Sequence, residues 1–328
     1  FLTYYSVPAG AQTGTRIAAI GSGGGVQIYG ASGSAAASGS NNGAGVELNF
    51  TEVLANGGPI YIEGKTNNAT KPGISLGLNA SAGNANYLGS RTGISVNGVS
   101  LASSTSNVTM SADIIQQNSA YPTYINTNGA VLIQPLTNNF ASTFDNTGIN
   151  VSTGASSITI GKDGNTGGIT IGTGLTAGSI TIKGGVVTAT ANLLTNSIVP
   201  RAGPITIIAT SAYTQNGTAT ASLDSDILIT TDSITFGGSA IVRSNLPAAG
   251  NSAAIGAIEI SNFTSGRGVR IGTTTTGFLS VAAADLAKLQ AKFLRVGSAT
   301  AGATVINADI TRNTATNGTY ADLQTLKI

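Results

Sequence analysis

Ser157-Ile-Thr-Ile-Gly161, Gly168-Ile-Thr-Ile-Gly172 and Ser179-Ile-Thr-Ile-Lys183 are three versions of one phrase, set 11 residues apart. Each places β-branched apolar residues at i and i+2 around a threonine, the period-two pattern of a strand with one buried face. Gly, Asn, Asp and Thr fill the gaps between them as turn residues. A strand-and-turn unit that repeats cannot bury its apolar side alone and must stack on further copies, which is the logic of a solenoid.

Working outward, the same unit recurs along the chain. Toward the N-terminus it reads Val26-Gln-Ile28, Val46-Glu-Leu48, Ile60-Tyr-Ile62, Ile74-Ser-Leu76, Ile94-Ser-Val96, Val99-Ser-Leu101, Val108-Thr-Met110, Val131-Leu-Ile133 and Ile149-Asn-Val151. Toward the C-terminus it continues as Ile205-Thr-Ile207, Ile227-Leu-Ile229, Ile234-Thr-Phe236, Ile258-Glu-Ile260, Val269-Arg-Ile271, Leu279-Ser-Val281, Leu294-Arg-Val296 and Val305-Ile306. Tyr121-Pro-Thr-Tyr124 reads as an interruption, and residues 31–45 as a low-complexity Ala/Ser/Gly/Asn surface loop. Ala282 to Phe293 alone has helical spacing and helix formers, which predicts a short helix near 283–292.

Short strands joined by short non-helical turns exclude a doubly wound α/β sheet, which needs helical crossovers. An antiparallel sandwich remains compatible with such turns. The near-verbatim repeat and the uniform composition favour an all-β, right-handed parallel β-helix (β-solenoid) forming a single elongated domain over 1–328. At about 20 residues per repeat the chain makes about 16 coils, a rod of about 75–80 Å at the usual strand spacing.

Composition narrows the chemistry. Cys and His are both absent, so a thiolate nucleophile, an imidazole base, a disulfide and a His/Cys metal site are excluded. Charged residues are 9% of the chain and the net charge is +2, too small and scattered for a nucleic-acid footprint. No run approaches the roughly 20 apolar residues of a membrane helix. The chain begins at Phe1 with no basic-then-apolar export signal, as expected of a processed protein or an excised piece.

Gly57-Gly-Pro-Ile-Tyr-Ile-Glu-Gly64 with Gly73-Ile-Ser-Leu76, the Ser-Ile-Thr-Ile-Gly series, and the stretch Phe278-Leu-Ser-Val-Ala-Ala-Ala-Asp-Leu-Ala-Lys-Leu-Gln-Ala-Lys-Phe-Leu-Arg-Val-Gly297 resemble filamentous haemagglutinin-type exoproteins. The likeness covers most of the chain and is clearest from about 128 to 310. It implies a right-handed β-helix shaft of a secreted bacterial surface adhesin, exported through an outer-membrane secretion partner. It also implies contact with host surfaces, neighbouring cells or glycans, and no enzymatic activity or cofactor. The Asn-Pro-Asn motif typical of that family's secretion domain is absent, so the resemblance is to shaft material.

Parallel β-helices also carry polysaccharide-cleaving sites, which makes Asp224 and Asp226, with Asp232 nearby, the candidate acid pair. Asp is equally a turn former. Tyr121 and Tyr124 are the candidate glycan contacts. Gly161 to Gly168, with Asp163 and Asn165, faintly resembles a calcium turn but lacks the further oxygen ligands. Gly172-Thr-Gly174 mimics a dinucleotide fingerprint but leads into a strand. Thr273 to Thr276 resembles the threonine arrays of ice-binding solenoids, yet a consecutive run alternates faces instead of forming a row. Neither terminus carries a polar amphipathic cap, which predicts continuation of the chain or end-to-end self-association through open ladder edges.

Overall fold

Inward-facing aliphatic residues stack on one another in register. In the second half of the chain, Ile180, Ile205, Ile227, Ile258 and Leu294 form one such column, and Ile182, Ile207, Ile229, Ile260 and Val296 form its neighbour. All ten side chains are buried. The computed structural model of the chain describes residues 3–6, 15–33, 43–77, 85–195, 203–217, 220–222, 225–244, 256–291, 293–307 and 325–327. It is all-β, with 55% strand against 2% helix, so the crossovers are not helical. The chain divides into two compact units, residues 1–168 and 169–328.

In the first unit the chain visits three parallel ladders in turn. One is built from 15–19, 51–55, 86–89, 123–126 and 149–151. The second takes 26–32, 60–66, 108–111, 131–134 and 157–161. The third takes Val46–Leu48, Ile74–Leu76 and Ile115–Gln117. Val26, Ile60, Val108, Val131 and Ile158 form an inward column of the second ladder. Each fully buried aliphatic contributes on the order of 1.5–3 kcal/mol.

The second unit repeats the scheme. One ladder runs through 180–184, 205–209, 227–231, 258–261, 293–296 and 325–327. Another holds 169–171, 187–189, 213–215 and 234–236. A third holds 175–177, 193–195, 220–222, 242–244 and 289–290. Val269–Gly272 pairs with Leu279–Ala282 and with Thr304–Ile306 in a further parallel sheet. Parallel strands visited in rotation are consistent with a β-solenoid.

The registers revise several expectations. Ile169 pairs with Val187 and Ile180 with Ile205, so the 11-residue phrase is one side of a coil and its second and third copies occupy different ladders. Partners lie 18 residues apart at Ile169 and Val187 but 36 apart at Thr15 and Thr51 and 37 apart at Asn86 and Thr123. Partner spacing among the described residues is therefore not the uniform 20 on which the expectation of about 16 coils rests. The expected interruption at 121–124 holds a strand, Thr123–Asn126. Val96 and Val99 belong to an antiparallel hairpin, in which Asn97 (φ 50°) and Gly98 (φ 79°) make the two-residue turn. That hairpin packs Val96 and Leu101 against Ala18 and Leu54.

The helix shrinks to Ala283–Leu286, and Leu289–Gln290 is already a strand. Its most buried side chain is Asp285, which accepts from the Phe236 N–H at 3.3 Å, while Lys288 donates to the Phe236 carbonyl. The turn is thus tied to a strand end by polar contacts, and Phe293 is exposed. Of the low-complexity loop, residues 34–42 lie outside the described residues. Thr3–Ser6 runs antiparallel along Thr15–Ala18, covering that edge of the first ladder with the chain's own backbone.

Glycine is required where strands nearly touch at a corner. A Cβ on Gly64 would sit 1.9 Å from the Gly73 carbonyl oxygen, and one on Gly30 would sit 2.0 Å from that of Gly45. Three substitutions separate these effects in equilibrium urea unfolding. Ile207→Ala, which empties a column position, is expected to cost about 3 kcal/mol. Thr206→Ala, on the outward side of the same strand, should stay within about 0.5 kcal/mol. Gly98→Ala meets open space, so it should cost only its backbone strain of about 1 kcal/mol.

Candidate functional site

A set of interacting polar side chains comes from outward positions of the first ladder. Arg16, Glu52, Tyr87, Tyr124 and Asn150 occupy equivalent positions on successive strands. Outward residues of adjacent strands lie about 4.8 Å apart, so they form a continuous row. Arg91 joins from the corner after Asn86–Gly89, where its backbone N–H bonds the Leu101 carbonyl at 2.9 Å.

Glu52 is the pivot. Arg16 Nε donates to its Oε2 and Arg91 Nη1 to its Oε1, so one carboxylate bridges two guanidinium groups. Glu52 is nearly buried, and the two arginine side chains are 14% and 26% exposed. Burial lowers both arginine pKa values, and the charge of Arg16 lowers that of Arg91 further. The Arg91 guanidinium also sits 4.5 Å from the Tyr87 ring centroid, a cation–π contact. Tyr87 stacks on Tyr124 with centroids 5.3 Å apart and planes at 21°. Burial, then the neighbouring Tyr124, raises the Tyr87 phenol pKa.

Tyr124 is therefore half-buried in this row. Tyr121 lies elsewhere, edge-on to Phe50 at 6.5 Å, and its carbonyl accepts from Gln117 Nε2 at 2.8 Å. Beside the third ladder a groove of about 540 Å³ is lined by residues including Ile115, Gln116, Gln117, Thr143 and Asp145. Its principal polar groups are engaged internally. Asp145 Oδ1 accepts from the Thr147 N–H and hydroxyl at 2.8 and 2.7 Å, and Gln117 Oε1 accepts from the Thr123 hydroxyl at 2.8 Å.

The candidate acid pair does not assemble among the described residues. Asp224 lies outside them. Asp226 is exposed and its Oδ1 accepts from the Ala257 N–H at 2.8 Å. Asp232 is separated from it by the strand Ile227–Thr231, about 20 Å of extended chain. Asp232 is nearly buried and holds a loop. It accepts from the N–H groups of Phe263 and Thr264 at 3.1 and 2.8 Å and from the Thr264 hydroxyl, and pairs with Arg267 at 3.2 Å.

In the calcium-like turn, Asn165 Oδ1 accepts from the N–H groups of Phe140 and Gly167 at 3.2 and 3.0 Å, which commits it to the corner. No group of three or more potential metal-ligating side chains occurs among the described residues. Gly172-Thr-Gly174 leads into the strand Leu175–Ala177, and Thr273 to Thr276 fill the connection between two strands.

The Arg16–Glu52–Arg91 bridge was not visible in the sequence, since its members lie 36 and 39 residues apart. Glu52→Gln would leave two half-buried guanidinium groups facing each other, and a loss of roughly 1–3 kcal/mol is expected in chemical unfolding. The chain matches no protein-family model, no curated protein and no solved structure.

Proposed function

We propose that the chain is a right-handed parallel β-helix with a non-enzymatic, structural and adhesive role on a bacterial surface. It would be shaft material of a filamentous haemagglutinin-like exoprotein. The observation that carries this reading is the use of its acids: every described carboxylate is engaged by groups of its own chain. Glu52 bridges two arginines, Asp113 holds Thr137, and Asp145 holds Thr147. Asp226 and Asp232 anchor loops, Asp285 ties a helical turn, and Glu259 pairs with Arg295 at 3.2 Å. Glu47, Glu63 and Asp163 are also engaged. General acid–base hydrolysis by paired carboxyl groups needs both to face one substrate, whereas these carboxylates are hydrogen-bonded to separate parts of their own chain.

Export through an outer-membrane secretion partner, and contact with cells or glycans, belong to this reading through the sequence resemblance. A second reading, glycan contact, draws on the aromatic stack of Tyr87 and Tyr124, with Tyr121 at a separate corner.

Two assays on the purified chain test the proposal. Adherence of the labelled chain to bacterial and animal cell surfaces is expected, with no release of reducing ends from acidic polysaccharides. Turnover that disappears in Asp226→Asn would overturn the structural reading. A glycan array read with Tyr124→Ala as control separates the second reading from adhesion through protein contacts.

A further inference from the structure

The ladder of strands 169–171, 187–189, 213–215 and 234–236 carries threonine at every central outward position. Thr170 pairs with Thr188, Thr188 with Thr214 and Thr214 with Thr235. With adjacent strands about 4.8 Å apart, the four threonine positions span about 14 Å. None of their hydroxyls has a partner among the described residues. Two other threonines of the same unit use their hydroxyls internally: Thr190 donates to the Ile171 carbonyl at 3.2 Å, and Thr230 pairs with Ser261 at 3.0 Å.

Within the second unit, the positions that flank the row along each strand are uncharged. Two residues before each threonine stand Gly168, Val186, Ala212 and Ser233, and two residues after stand Gly172, Thr190, Asn216 and Gly237. Val186 is exposed and pairs with Ala212, which places a column of small and apolar groups beside the hydroxyls. On Val269–Gly272, Leu279–Ala282 and Thr304–Ile306 the corresponding outward residues are Arg270, Ser280 and Val305, with Arg270 lying over the Phe278 ring at 4.0 Å. The neutral threonine row is thus specific to one ladder.

Such a surface is matched by a neutral, rigid partner with a periodic array of donors and acceptors. Each hydroxyl both donates and accepts, and its methyl group covers the space between rungs. Threonine is stiff at χ1, and Thr188 and Thr214 sit on strands paired on both sides, so little freedom is lost on binding there. The axial repeat is constant because it is the strand spacing itself. We propose that this face binds the ordered water of an ice surface.

The test uses the purified full chain in ice-affinity partitioning and ice-crystal growth microscopy, with albumin as the inert control. Enrichment in the ice fraction and faceting of crystals are expected. The double variant Thr188→Lys and Thr214→Lys should fall to the albumin level while its β-sheet circular dichroism is unchanged. If that variant unfolds, Thr188→Ala with Thr214→Ala removes the row without adding charge, and the same loss is expected. Partition of the unaltered chain at the albumin level would overturn the proposal, as would full enrichment of a folded variant. Threonine-dependent binding to insoluble cellulose or chitin without ice enrichment would also overturn it and assign the face to crystalline polysaccharide.

Discussion

Parallel pairing in strict register is the constraint from which the rest follows. Side chains alternate across a strand with period two, so one register decides which residues of every neighbouring strand share a column. Slipping Ile205-Thr-Ile207 by one residue against Ile180-Thr-Ile182 would place two isoleucines in water and a threonine in the core. That penalty, paid in buried area at each rung, keeps inward columns aliphatic. It also aligns the outward columns: Arg16, Glu52, Tyr87 and Tyr124 meet only because their strands are locked from the inside.

Corners must satisfy backbone groups that the ladders leave over, and here the inward face turns polar. Asn86 is buried, yet its Oδ1 accepts from the Thr51 N–H at 2.9 Å. Its Nδ2 donates to the Leu48 carbonyl at 3.0 Å and to the Thr123 hydroxyl at 3.2 Å. Gln215 is fully buried and accepts from the Tyr213 hydroxyl at 2.6 Å. A buried polar group is tolerated only when paired, and these pairings join residues from three successive coils in the case of Thr51, Asn86 and Thr123. Polar positions inside the ladder thus specify which coil follows which.

The same feature explains what could be read from the sequence. Strands with two inward aliphatics, such as Ile158-Thr-Ile160 or Ile258-Glu-Ile260, were legible because nothing but a half-buried strand needs that pattern. Asn86-Tyr-Leu88, Thr123-Tyr-Ile125 and Tyr213-Thr-Gln215 were missed, since an inward Asn, Thr or Gln breaks the apolar alternation while obeying the same geometry. The hairpin at 95–100 reads in the sequence as part of the parallel series, although Asn97-Gly98 between alternating apolar residues is the dipeptide that a tight antiparallel turn requires. There the local turn chemistry overrode the apparent continuation of the parallel series.

The site was far less legible than the fold, for a reason of distance. Asp224, Asp226 and Asp232 look clustered because they are close in the chain, but a strand is the most extended path between two residues. Asp226 and Asp232 consequently end up at opposite ends of Ile227–Thr231. Glu52 and Arg91 look unrelated and share a hydrogen bond. In a stacked parallel architecture, closeness in sequence separates side chains along a strand, while separation by a whole coil brings them together. A functional surface here is therefore built across coils, from residues whose spacing follows loop lengths that vary from 18 to 37 residues between paired positions. The threonine row shows the same rule: its members are 18, 26 and 21 residues apart, no constant period links them, and only the register makes them neighbours.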